Sequence, residues 1–147
     1  MKYKIISGIV ALIIIASGAY YYVNRKTQSL SATDSDFQIA AVKLLEEYSS
    51  NQKQADQKYL GKIILVNGNL KGIEKDDRGF LTFVLGDPVS MNSIRCSMDT
   101  AVVINEASYP SGTVVSLKGE CTGFNADDLG LGADIVLNRS IIIQNKN

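Results

Sequence analysis

The chain has no histidine, and only two of its 147 residues are cysteine. Without histidine there is no Ser–His or Cys–His nucleophile pair and no imidazole metal ligand. Two cysteines cannot build a structural zinc site alone. No cysteine stands directly after the apolar stretch near the N-terminus, so lipid attachment there is not expected. Net charge is also lacking, with 15 basic residues against 15 acidic. The balance hides an asymmetry. Residues 1–26 hold Lys2, Lys4, Arg25 and Lys26 and no acid, leaving eleven basic against fifteen acidic side chains in the remainder. The length suits one compact domain with an appendage.

That appendage is apolar. From Ile5 to Val23 nineteen residues pass without a charge. As a helix they would span roughly 28 Å, near the thickness of a hydrocarbon core of about 30 Å. Lysines precede the run, Arg25 and Lys26 follow it, and Tyr20, Tyr21 and Tyr22 suit a headgroup layer. Residues 1–26 thus read as a single-pass membrane anchor, with a cytoplasmic N-terminus and an exported C-terminal domain. The competing reading is a cleaved signal peptide, with residues 5–15 as its apolar region and Ala16, Ser17 and Gly18 at the cleavage site. Residues 27–33 are mostly small and polar and read as a linker, within a flexible tether over residues 24–33. The domain then occupies residues 34–147.

It opens with a helical pattern. Ser35 and Gln38 stand at capping-box spacing, with Asp34 and Asp36 beside the positive helix end. Phe37, Ala41, Leu44, Leu45 and Tyr48 recur at helical spacing as one apolar stripe that would cover the domain's own core. Lys43 and Glu47 would form an exposed i,i+4 pair. After Gly61 the period changes to two. Ile64, Val66, Gly68, Leu70 and Gly72 share one face of a long first strand, and the two glycines predict a bend. Further strands are expected at residues 80–85, 93–98, 113–123 and 135–144. Ile94, Cys96 and Met98 lie opposite Arg95, and Val115, Leu117, Gly119 and Cys121 lie opposite Ser116, Lys118 and Glu120. Residues 99–112 form a longer connection with room for a helical turn. The fold class is therefore mainly β: a five-stranded OB-fold barrel, preceded by an amphipathic helix and the N-terminal transmembrane helix. An SH3-like barrel or small sandwich would satisfy the same alternation.

These residues resemble the tRNA-anticodon-domain-like (tRNA_anti-like) OB-fold family of bacterial proteins over about residues 37–143. The marks are Tyr59, Gly61 and Lys62, then Val66 and Gly68, then Lys118, Gly119, Cys121 and Gly123. The resemblance implies a barrel whose shape is shared with tRNA-binding OB domains. It also implies a cysteine in the last strand, able to pair with the position of Cys121; this chain has Ser140 there. In an OB barrel of order 1-2-3-5-4-1, a Cys96–Cys121 bridge would have to cross the interior, so two buried thiols are favoured over it.

Nucleic-acid binding on such a fold needs cations interleaved with aromatic platforms. Arg78, Phe80, Arg95 and Phe124 are the candidates for that face. The acids Asp127, Asp128 and Asp134 beside it, and the acidic balance of residues 27–147, make phosphate a poor ligand. The same three carboxylates are a weak candidate for calcium, although their spacing is not that of an EF-hand. Asp76-Asp77 or Asp127-Asp128 could supply acid–base chemistry, but neighbouring carboxylates diverge and no desolvated pocket is signalled. No cofactor and no catalysis are expected. By elimination the domain is a binding or scaffolding module in the bacterial envelope, for a protein, peptide or glycan partner, with single-stranded nucleic acid as the alternative.

Overall fold

The computed structural model describes residues 30–126 and 132–143. Six strands and two helices form the domain: β1 (Phe37–Ala40), α1 (Ala41–Ser50), α2 (Gln52–Tyr59), β2 (Ile63–Lys75), β3 (Leu81–Leu85), β4 (Ser93–Met98), β5 (Val114–Ala126) and β6 (Ala133–Ile142). The order β2-β3-β4-β6-β5, closed by pairing of β5 back onto β2, is the OB barrel. Its parallel contact is β4 on β6, and every other barrel contact is antiparallel. The single-turn helix Glu106–Ser108 lies in the connection between β4 and β5, where a helical turn had room.

The helix begins later than its capping signature predicts. Asp36 does not cap a helix: its carboxylate accepts from the Ile63 amide at 2.8 Å, and its own amide donates to the Ile63 carbonyl at 2.8 Å. This clamp draws the chain alongside β2, so Phe37 joins strand β1, parallel to β2, and not the helical stripe. Pairing with β2 satisfies backbone groups that the Ser35/Gln38 box would otherwise have satisfied, and tertiary context overrides the local signal. Helix α1 starts at Ala41 with no side-chain cap and buries Ala41, Leu44 and Tyr48. Lys43 pairs with Glu46, leaving Glu47 to bond Lys58 of α2, so the expected Lys43–Glu47 pair does not form. Asn51 separates the helices and accepts from the Gln54 amide through its side chain. Gly61 turns the chain into β2 with φ of 72°, a conformation that costs glycine little.

Gly68 faces α1 so closely that a Cβ there would lie 2.5 Å from the Ala41 Cβ. The helix can cross the barrel here only because that side chain is missing. A bulge then interrupts the β2–β3 register between Leu70 and Gly72. It reverses the alternation: Ile73 pairs with the fully buried Phe83, while Gly72 pairs with Val84 and has nothing within 4 Å of where its Cβ would stand. The expectation that Gly68 and Gly72 share one face therefore fails at the bulge.

The core holds Ile64, Val66, Leu70, Phe83, Leu85, Ile94, Leu117, Ile135 and Leu137, all at most 0% exposed. Tyr48 lies between Tyr59 at 6.2 Å and Phe124 at 5.1 Å, and Phe37 meets Tyr59 edge-on at 5.1 Å. This aromatic stack joins the helices to the barrel wall. Tyr109, from the long connection, packs edge-on against Phe83.

Cys96 and Cys121 are both buried and both free thiols. They do not oppose each other across the interior. Each is register partner to Leu137, so strand β6 lies between them. Two strand spacings put their Cα atoms roughly 10 Å apart, beyond the reach of a disulfide at about 7 Å. Burial pushes the Cys96 thiol pKa up to about 12. Ser140 sits in hydrogen-bond contact with Cys96, and its Oγ would be 2.4 Å from a Cβ on Gly119. The position that the family resemblance pairs with Cys121 thus touches the other cysteine.

Candidate functional site

The β2–β3 turn is held by one carboxylate. Asp76 Oδ1 accepts from the amides of Arg78 at 3.0 Å and Phe80 at 2.8 Å, which fixes the turn and presents both side chains outward. Phe80 is 47% exposed, a large apolar ring left at the surface. Across from it runs the connection after β4, and the two enclose a groove of about 330 Å³. Phe80, Leu81, Met98, Val102 and Ile104 give the groove apolar walls, while Lys75 and Arg78 face Asp99 and Glu106. Lys75 bonds Glu106 at 3.2 Å and so ties the turn to the connection. The groove is amphipathic and balanced in charge.

Arg95 projects from the outer side of β4, as its alternation predicts, but away from that groove. Its guanidinium bonds Glu74 of β2 and lies 3.8 Å from Asp134 of β6. Partial burial holds the Asp134 carboxyl above its usual range, with the Arg95 charge acting in the opposite direction. Beside this ladder Lys71 donates to the Ser90 carbonyl at 2.7 Å and to Ser93 Oγ at 2.9 Å, anchoring the β3–β4 loop. The outer sheet face thus carries an arginine already engaged by two carboxylates. Phe124 is likewise engaged, stacked on Tyr48 in the helix–barrel junction.

The structure therefore brings Arg78 and Phe80 together and places Arg95 and Phe124 elsewhere. Of the three acids considered for calcium, Asp127 and Asp128 lie outside the described residues. Asp134 faces Arg95. Among the described residues no three His, Cys, Asp or Glu side chains are grouped to hold a metal ion.

Sequence reasoning missed the wall formed by residues 98–106, because a long connection has no period that would say which strand turn it lies against. It also missed a cluster at the helix pair, where Glu47 accepts from Lys58 at 2.8 Å and from the Tyr59 hydroxyl at 2.9 Å. The bond from Lys58 lowers the Glu47 pKa. The Lys58 ammonium also lies 4.6 Å from the Tyr59 ring centre. Ser50 and Lys53 have a Ser-x-x-Lys spacing across the α1–α2 junction, but both are exposed, so no desolvated amine stands by to activate the hydroxyl.

A closed barrel of this order, with a rim groove and no nucleophile–base pair assembled among the described residues, defines a small OB-fold domain. The chain belongs to the tRNA_anti-like family, whose model matches residues 1–136. No curated protein matches it. Among solved structures it is similar to a candidate nucleic acid-binding lipoprotein from Klebsiella pneumoniae subsp. pneumoniae MGH 78578, with 16% identity and a TM-score of 0.56 over 74% of this chain and 92% of that one. It also aligns with a candidate aspartyl-tRNA synthetase from Leishmania major Friedlin (10% identity, TM-score 0.42, 88% of this chain and 25% of that one). The asparaginyl-tRNA synthetase from Pyrococcus horikoshii aligns with 17% identity and a TM-score of 0.37, over 59% of this chain and 21% of the enzyme. The chain spans a quarter or less of either synthetase.

Proposed function

We propose that this protein is a membrane-held binding module of the bacterial envelope that takes a protein, peptide or glycan partner on its OB barrel and performs no catalysis. A peptide segment fits the groove at Phe80 best. The observation that carries this reading is the makeup of that groove: an exposed aromatic ring and aliphatic walls, with two cations balanced by two carboxylates. A polypeptide offers apolar side chains and charges of both signs, whereas a polyphosphate backbone needs an unopposed basic track. The engagement of Arg95 by Glu74 and Asp134 supports the same choice.

Membrane attachment rests on the apolar run from Ile5 to Val23, which lies outside the described residues. Among those described, no helix is long and apolar enough to cross a membrane. Both cysteines are buried in the barrel, so the anchor proposed here is the apolar run and not a lipid of the kind the Klebsiella protein's description implies.

A photoreactive phenylalanine analogue at position 80 of the full-length protein, illuminated in native membranes, tests the reading. Nuclease-resistant adducts that carry a second polypeptide or a glycan, identified by mass spectrometry, are expected. Nuclease-sensitive adducts would establish the alternative, single-stranded nucleic acid; the Klebsiella protein's description names nucleic acid as its ligand. The absence of any light-dependent adduct would also overturn the proposal.

A further inference from the structure

The tether expected over residues 24–33 is not free along its whole length. Leu30 is only 2% exposed, buried like a core residue. Three residues on, the Thr33 carbonyl accepts from the ammonium of Lys118, a largely buried residue of β5, at 2.8 Å. Asp36 then clamps Ile63 in both directions, and β1 completes the attachment along β2. Residues 30–40 thus form a strap laid onto the outside of the barrel, headed by the buried Leu30 and fixed by the Lys118 ammonium, the Asp36 clamp and strand pairing. Only six residues, 24–29, separate this strap from the apolar run.

Covalent geometry turns that count into a distance. The seven peptide steps from Val23 to Leu30 reach at most about 25 Å. A compact domain of this size is about 35 Å across. No surface of the barrel, the groove at Phe80 included, can therefore stand more than about 60 Å from the end of the apolar run. A mobile tether of full length would have allowed a wider layer.

We infer that the groove at Phe80 reads an integral membrane protein, through an extended segment that stays close to the bilayer and carries apolar side chains flanked by charges of both signs. The inference rests on the proposed membrane-held, peptide-binding reading and narrows its partner. A partner fixed in the same membrane meets the groove at a concentration set by that thin layer, while a soluble partner gains nothing from the short spacing.

The test compares two full-length proteins, each with the photoreactive residue at position 80. One keeps its natural spacing. The other carries about thirty residues of helical (EAAAK) repeats after Ser29, which raise the barrel by about 45 Å. The insertion lies outside the strap, so both should melt at the same temperature. The expected result is an adduct to a protein that resists carbonate extraction, reduced by at least about fivefold in the raised form. An undiminished adduct, or one to a carbonate-extractable protein or to lipid, would overturn the inference. The first two of these would leave the peptide-binding reading standing. No protein adduct at either spacing would overturn both.

Discussion

Replacing Gly68 with alanine isolates one steric event. Gly68 does not have the left-handed backbone that favours glycine, so alanine brings no φ strain there. Its new Cβ would stand 2.5 Å from the Ala41 Cβ, which belongs to the first turn of α1 and cannot rotate away. Relief requires the helix to lift from the barrel by about an ångström, which loosens Leu44 and Tyr48 behind Ala41. Overpacking of this kind costs about 1–3 kcal/mol. For a domain of this size that is a fall in Tm of roughly 4–12 °C. The control is Gly72→Ala on the same strand, which meets nothing within 4 Å and should stay within about 0.5 kcal/mol of the parent. A second substitution closes the cycle. Ala41→Gly removes the clashing atom at a helix-propensity cost of up to about 1 kcal/mol, and should recover most of the Gly68→Ala loss when the two are combined. Urea midpoints of the full chain in mild detergent provide the readout. Equal effects of Gly68→Ala and Gly72→Ala, or no coupling between positions 41 and 68, would refute the packing argument.

Leu117→Ala empties a fully buried site and should cost about 2–5 kcal/mol in the same assay, whereas Lys75→Ala, at an exposed ion pair, should cost under about 0.5 kcal/mol. The lowered pKa of Glu47 means that the fold favours its ionised form. Its stabilisation is complete above the ordinary value of 4.5 and fades as pH falls through the lower folded value. The stability gap between the parent and Glu47→Gln should therefore be larger at neutral pH than at pH about 3, and a gap independent of pH would contradict this. Ser140→Cys places a third thiol against Cys96. Mild oxidation should join positions 96 and 140 and leave Cys121 free, as read by mass spectrometry of the digested protein. Consumption of Cys121 instead would restore the pairing that the family resemblance implies.

Much of this architecture can be read from the residues alone. Strand β4 occupies the residues that the alternation of Ile94, Cys96 and Met98 marks out, and its inward face agrees with the period-two pattern. On β5 the inward residues are buried as expected, but Ser116 and Lys118, expected opposite them, are buried as well. Such patterns survive folding because each is a local consequence of backbone pleat and a single buried face. Errors arise where a distant segment competes with a local signal. The capping box at Ser35 loses to the Ile63 backbone, which offers Asp36 both a donor and an acceptor. The two-residue alternation of β2 fails beyond Leu70 because one bulge exchanges inside for outside. Among the site residues, Arg78 and Phe80 could be paired in advance because one turn carries both. Phe124 could not be placed without knowing that Tyr48 comes to lie against it.

By itself, then, the sequence determined an apolar N-terminal run, a mainly β domain, the faces of its central strands and the lack of histidine-dependent chemistry. These depend on residue type and short-range periodicity. Tertiary structure alone decided that β6 separates the two cysteines, that residues 98–106 wall the groove at Phe80, and that the strap begins at Leu30. Each of these depends on which distant segments share a register or a surface, and no local spacing encodes that choice.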